Sequence, residues 1–135
     1  MTAGDERAVV DASIVVDALA GTGRAPAARA RLARTVPHAP AHLDAEVLSA
    51  LGRLNRAGDL SDEEVLAALA NLAAMPMVRH ELTALVVGAW SRRADLRLLD
   101  ALYVELAAQL GVQVLTTDLR LARASPLAEV VDDSD

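Results

Sequence analysis

The chain has 135 residues, with 13 basic and 19 acidic side chains; it is 53% hydrophobic and 1% aromatic, and it contains no cysteine and no phenylalanine. That length and composition suit one compact domain with an aliphatic core. Every basic residue is an arginine, which excludes Schiff-base chemistry, the P-loop and other mechanisms that need a lysine amine, and the missing cysteine excludes thiolate zinc sites, cysteine nucleophiles and disulfide scaffolds.

No signal-peptide pattern and no apolar run near the roughly 18 residues of a bilayer span is present, so a soluble, cytoplasmic protein is expected. The formal charge of −6 argues against sequence-blind coating of nucleic acid. It leaves room for a local acidic cluster that holds metal beside arginines that hold phosphate.

Taken in chain order, the short apolar run 8–10 reads as a strand. Asp11, Ala12 and Ser13 form a turn, and the apolar-periodic stretch 14–20 reads as a helix closed by Gly21. Residues 24–34, rich in alanine and arginine, predict a helix, after which Pro37 and Pro40 predict an extended connection. Leu43, Val47, Leu51 and Leu54 mark an amphipathic helix over 42–57 that stops at Gly58. Ser61 and Glu64 form a capping box for the next helix, with Val65, Leu66, Leu69 and Leu72 on one face. A brief strand is expected within 75–80, followed by one helix carrying Leu82, Leu85, Val86, Ala89 and Trp90. Leu99, Leu102, Tyr103, Leu106 and Leu110 predict a further helix ended by Gly111. The β-branched run 112–115 predicts a buried strand, then come a helical turn at 119–123, a strand near 129–131 and an acidic tail, 132–135.

Strands that alternate with helices predict an α/β fold, with a parallel sheet covered by helices on both faces through right-handed crossovers. The functional edge of such a sheet lies beyond the carboxyl ends of its strands, where the following helices begin. Asp11 follows the first strand and Asp118 follows the strand 112–115, so parallel strands would project both carboxylates from that edge. Glu46 and Asp100 lie near the starts of their helices and are expected to point there too. Two carboxylates about 4 Å apart repel by about 4 kcal/mol at an effective dielectric near 20, so four together require protonation or a cation. All-oxygen donors select Mg²⁺ or Mn²⁺, which can activate water for attack on a phosphodiester. The plainer reading is that each Asp is a helix cap or turn residue, and for any one position alone that reading carries more weight.

The ordered blocks Val9-Val10-Asp11-Ala12-Ser13, Glu46 within residues 42–48, Leu99-Asp100-Ala101-Leu102-Tyr103-Val104 and Leu115-Thr116-Thr117-Asp118-Leu119-Arg120-Leu121 together resemble a PIN-domain ribonuclease of the VapC toxin type, over about residues 8–131. The resemblance implies a three-layer α/β/α sandwich and a Mg²⁺- or Mn²⁺-dependent endoribonuclease. By position it assigns Asp11, Glu46, Asp100 and Asp118 to the acidic metal-binding set, with Ser13 and Thr116 as supporting hydroxyls. It further implies a homodimer silenced by a cognate antitoxin, with DNA contacted only through that antitoxin. Asp17 departs from the pattern; helical geometry, at about 100° per residue, turns it away from Asp11 and makes it a surface residue.

His38 and His42 have paired-ligand spacing, but the prolines between them argue against a metal site, and His80 reads as structural. Arg24, Arg29, Arg31 and Arg34 form either a strip for phosphate or an acidic tail, or simply a solvated face. Arg93 and Arg97 stand nearer the acids and are the candidates for RNA phosphate. Trp90 reads as core or dimer interface. Two rivals remain beside the nuclease: a catalytically silent interaction module that keeps its acids as caps, and another Mg²⁺-dependent phosphoesterase. The second is weakened by Ser13, which stands where phosphatases of that kind carry a second Asp, and by the absence of lysine.

Overall fold

The computed structural model describes residues 5–132; Asp133, Ser134 and Asp135 of the expected tail lie outside the described residues. Five strands, β1 (Glu6–Val10), β2 (Thr35–Pro40), β3 (Val78–His80), β4 (Val114–Thr116) and β5 (Ala128–Val130), form one sheet in the order β3-β2-β1-β4-β5, and every neighbouring pair is parallel. The helices are α1 (Ala12–Ala20), α2 (Ala25–Ala33), α3 (Leu43–Arg56), α4 (Asp62–Ala74), α5 (Val86–Ser91), α6 (Leu98–Leu110) and α7 (Leu119–Ala124).

Right-handed crossovers put α1 to α4 on one face, because β1, β2 and β3 step outward in one direction, and α5 to α7 on the other, because the chain then returns to β4 and β5. The packing of α1 on α2, α3 and α4, and of α6 on β1 and β2, agrees with this. The result is the three-layer α/β/α architecture expected from the sequence. Val9, Val10, Val114 and Leu115 are fully buried between the layers, which is why these strands are continuously apolar.

Two expectations are corrected, and that for Trp90 is narrowed. Pro37 and Pro40 do not lie in a connection but in β2, which pairs with β1 along Glu6↔Thr35 to Val9↔His38. The sheet tolerates them because the β3 ladder begins only opposite His38, leaving Pro37 without a partner on that side, while Pro40 is the last residue of the strand. The helix expected from Leu82 to Trp90 is broken into a 3-10 turn, Leu82–Ala84, and α5, with Leu85 buried at the break. Trp90 is 58% exposed and is no part of the core.

The strand order reverses between β1 and β4. Chains leaving those two strands pass to opposite faces, which opens a crevice at their carboxyl ends.

Candidate active site

Asp11 leaves the end of β1 into that crevice in extended conformation and caps α1, its Oδ1 accepting the Ile14 amide at 3.3 Å. Ser13 Oγ donates to the same oxygen at 2.6 Å and Thr116 Oγ1 to Oδ2 at 2.7 Å. Each hydroxyl has one proton, so with both given to an ionised Asp11 the 3.0 Å contact between Ser13 and Thr116 is a close approach rather than a bond. The oxygens of these hydroxyls accept the Thr117 amide at 3.0 Å and the Asp118 amide at 2.9 Å. Two backbone dipoles of the β4–α7 connection are thus relayed through Ser13 and Thr116 onto one carboxylate. Even so, burial dominates: Asp11 is 5% exposed and its carboxyl is raised from 3.8 to about 6, with the charge of Asp118 adding to the shift against the hydrogen bonds.

Asp118 caps α7, with Oδ1 accepting from the Arg120 and Leu121 amides. Its Oδ2 meets Arg120 Nη2 at 3.0 Å, and the same nitrogen lies 2.9 Å from Asp100 Oδ2. Asp100 sits in the first turn of α6 but is not its cap; Arg97 holds that place with no side-chain bond. The cap reading therefore accounts for Asp11 and Asp118 but not for Asp100, and a cap has no need of a buried charge.

Glu46 stands in the first turns of α3. Tyr103 Oη donates to its Oε1 at 2.5 Å, and His42 Nε2 lies 3.3 Å from that oxygen and 3.1 Å from the Leu99 carbonyl. Burial pushes the Glu46 carboxyl up, but the bonds from His42 and Tyr103 and the nearby charge of Arg53 outweigh it and hold the group below its ordinary range. Burial first, and the bond to Glu46 second, keep Tyr103 far above the usual phenol range, so it acts as a neutral donor. Among the described residues His42 Nδ1 is buried with no partner, while Nε2 faces two oxygens and is placed to donate to them.

Asp17 was expected to face away and does not. Thr117 Oγ1 donates to its Oδ2 at 2.6 Å and Thr22 Oγ1 to its Oδ1 at 2.8 Å, and it lines one shallow cleft with Ser13, Glu46 and Arg53. Asp11 is a cap and not a helical residue, so a turn angle measured from it carries no information. Arg93 lies over the Trp90 ring at 4.5 Å, and among the described residues no hydrogen bond or ion pair joins Arg93 or Arg97 to the four acids. The guanidinium that reaches two of them, Asp100 and Asp118, is Arg120, which sequence reasoning passed over, as it did the support from Tyr103 and His42. His38 Nδ1 faces His80 Nε2 at 2.9 Å.

The donor set has the chemistry of a hard divalent site: carboxylate and hydroxyl oxygens, with Asp100 and Asp118 already converging on one cationic atom. Among the described residues no three acidic or histidine side chains form a ready shell as they stand, and the convergence is pairwise through Arg120. Two larger clefts lie elsewhere, between α1, α2 and α4 and along β2 and β3. Their linings are mostly apolar and bring no acids together, so the crevice between β1 and β4 is the candidate site.

A PIN-domain family model matches residues 8–126. Ribonuclease VapC3 of Mycobacterium tuberculosis is 60% identical over 131 residues, 96% of each chain, and Ribonuclease VapC1 of the same organism is 42% identical over 124 residues, 90% of this chain and 93% of the relative. The chain belongs to the PIN-domain family, in its VapC branch. Solved structures share the fold. Mycobacterium tuberculosis VapC20, described as a Sarcin-Ricin loop cleaving toxin, superposes with a TM-score of 0.65 at 22% identity, covering 87% of this chain and 94% of its own. Rickettsia felis VapBC2, bound to a DNA fragment from its promoter, gives 0.67 at 12% identity over 93% and 99%.

Proposed function

We propose that this chain is a metal-dependent endoribonuclease toxin, neutralised by a cognate antitoxin. Membership of the VapC branch supports ribonuclease activity, and the observation that carries the site assignment is Asp11. It is a buried carboxylate at the β1–β4 crevice, oriented by two hydroxyl relays and facing the charge of Asp118. Burying that charge is costly, and a cation at the crevice would offset the cost.

Asp11, Asp100 and Asp118 would hold the ion, Mg²⁺ or Mn²⁺, with Glu46 completing the shell or positioning water. The bound ion would supply Lewis acidity and activation of water toward a phosphodiester. Ser13 and Thr116 fix the Asp11 carboxylate, while Tyr103 and His42 fix Glu46 as an ionised acceptor. With one tryptophan and one tyrosine in the chain, and Tyr103 buried, base stacking is poorly supplied and RNA is recognised mainly through shape and backbone.

The reading includes a homodimer, supported by the exposed apolar face of Val86, Val87, Trp90, Leu98 and Leu99. DNA is reached only through the antitoxin. Purified protein is expected to cleave RNA with Mg²⁺ or Mn²⁺, to stop in excess EDTA, and to lose cleavage on Asp11→Asn with the fold intact. Turnover in EDTA would remove the metal, and full activity of Asp11→Asn would remove that residue from the site.

A further inference from the structure

The four candidate acids differ in what already satisfies them. Hydroxyls and an amide serve Asp11, and Tyr103 and His42 serve Glu46, but Asp100 and Asp118 take a cation from the chain itself. A guanidinium ordinarily offers a carboxylate two nitrogens in a fork, as Arg79 does to Asp44 here, with Nε to Oδ2 at 2.7 Å and Nη2 to Oδ1 at 3.0 Å. Arg120 instead spends one nitrogen on two carboxylates, 2.9 Å from Asp100 Oδ2 and 3.0 Å from Asp118 Oδ2, as a point cation would. Its side chain is 43% exposed, so open water lies beside it. The cap of α7 is made by the backbone amides on the other oxygen of Asp118, so the guanidinium can leave without undoing the helix.

We propose that Arg120 is a resident cation of the acidic site, occupying the point between Asp100 and Asp118 that a divalent metal ion would take and leaving it when the ion binds. The proposal rests on the metal-dependent reading above and adds a regulation to it. A hard divalent ion holds carboxylate oxygens at about 2.1 Å, inside the contact distance of the guanidinium nitrogen, so the two occupants exclude each other. Without metal, Arg120 balances two charges that would otherwise repel. Once displaced, it is an unpaired planar donor at the edge of the crevice, suited to a phosphate of the RNA backbone. Metal and RNA therefore favour each other's binding, since each gives one half of the Arg120 contact a new partner, and such linkage is reciprocal.

The test is Mn²⁺ titration of the full chain without RNA, by calorimetry. Arg120→Gln is expected to bind Mn²⁺ about tenfold more tightly than the wild type, within the usual range for coupled sites. Arg120→Lys, which keeps the charge, should stay near the wild type. Arg123→Gln removes the same charge from the same helix, at an exposed residue that makes no ion pair among the described residues, and should change affinity less than about twofold. Equal or weaker binding by Arg120→Gln, or equal tightening by Arg123→Gln, would overturn the displacement while leaving the metal site standing. Undiminished binding by Asp118→Asn would instead overturn the metal assignment itself. A readout independent of any variant is the Arg120 side-chain resonance in the wild-type protein. It should shift on adding Mg²⁺ while that of Arg123 does not, and a stationary Arg120 would again defeat the proposal.

Discussion

Asp11 joins stability to chemistry at one atom pair. Its folded-state carboxyl, raised from 3.8 to about 6 by burial, lies above the unfolded value. The stability tied to the protonated form is therefore fully present below about pH 4 and lost as pH rises through about 6. Asp11→Asn removes the titrating carboxyl, so free of metal the variant should lose that part of the pH dependence of stability. Denaturant unfolding in EDTA at several pH values measures this loss, and cleavage should be lost in the same variant. Tyr103→Phe removes a donor that lowers the Glu46 carboxyl, so that group rises toward its ordinary range, and an NMR titration of the Glu46 side chain should show its inflection at higher pH than in the wild type. The acids themselves were legible in the sequence because short motifs mark them. Their partners were not. Arg120 reaches Asp100 across 20 positions and Thr117 reaches Asp17 across 100, and no local pattern encodes such pairs.

Elements end where backbone geometry requires it. Gly21 closes α1 at φ +70, a left-handed position that a β-carbon resists, so Gly21→Ala should cost about 1 kcal/mol. Gly52 lies inside α3, and a β-carbon built there meets nothing within 4 Å, so Gly52→Ala should instead stabilise by about 0.5–1 kcal/mol. Thermal melts of the two variants side by side should shift in opposite directions. Most helices were legible because apolar spacing, capping residues and glycine stops are all local signals, the break at Leu85 being the exception. β2 was not, because it carries two prolines and owes its place to β1 on one side and a three-residue β3 on the other.

For the whole molecule, the net charge of −6 includes the four carboxylates of the proposed site and the aspartates of the tail, and the rest of the chain is close to neutral. The acidity is therefore no argument against an RNA substrate. Among the described residues no helix is long and apolar enough to cross a membrane, and of the exposed large apolar side chains Val86, Val87, Trp90, Leu98 and Leu99 gather on α5 and α6 while Leu48, Leu66, Val78 and Leu119 are scattered over other elements. Val87, on α5, is 83% exposed, so, on the proposed homodimer, Val87→Glu should leave the monomer fold and its melting temperature nearly unchanged and give the mass of a single chain in light scattering where the wild type gives that of two; a wild type that already scatters as a single chain would remove the dimer.

The sequence by itself determined the excluded chemistries, the alternation of strands with helices, and four acidic blocks in the order of a PIN domain, because composition and local periodicity carry that information. Only the tertiary structure decided that β1 and β4 are neighbours at the point where strand order reverses. It also decided that Asp17 turns toward the crevice and that Arg120 stands between Asp100 and Asp118. Parallel pairing and side-chain partners across distant segments follow from how crossovers stack on the sheet, which is set by burial of the whole core and not by any stretch of the chain alone.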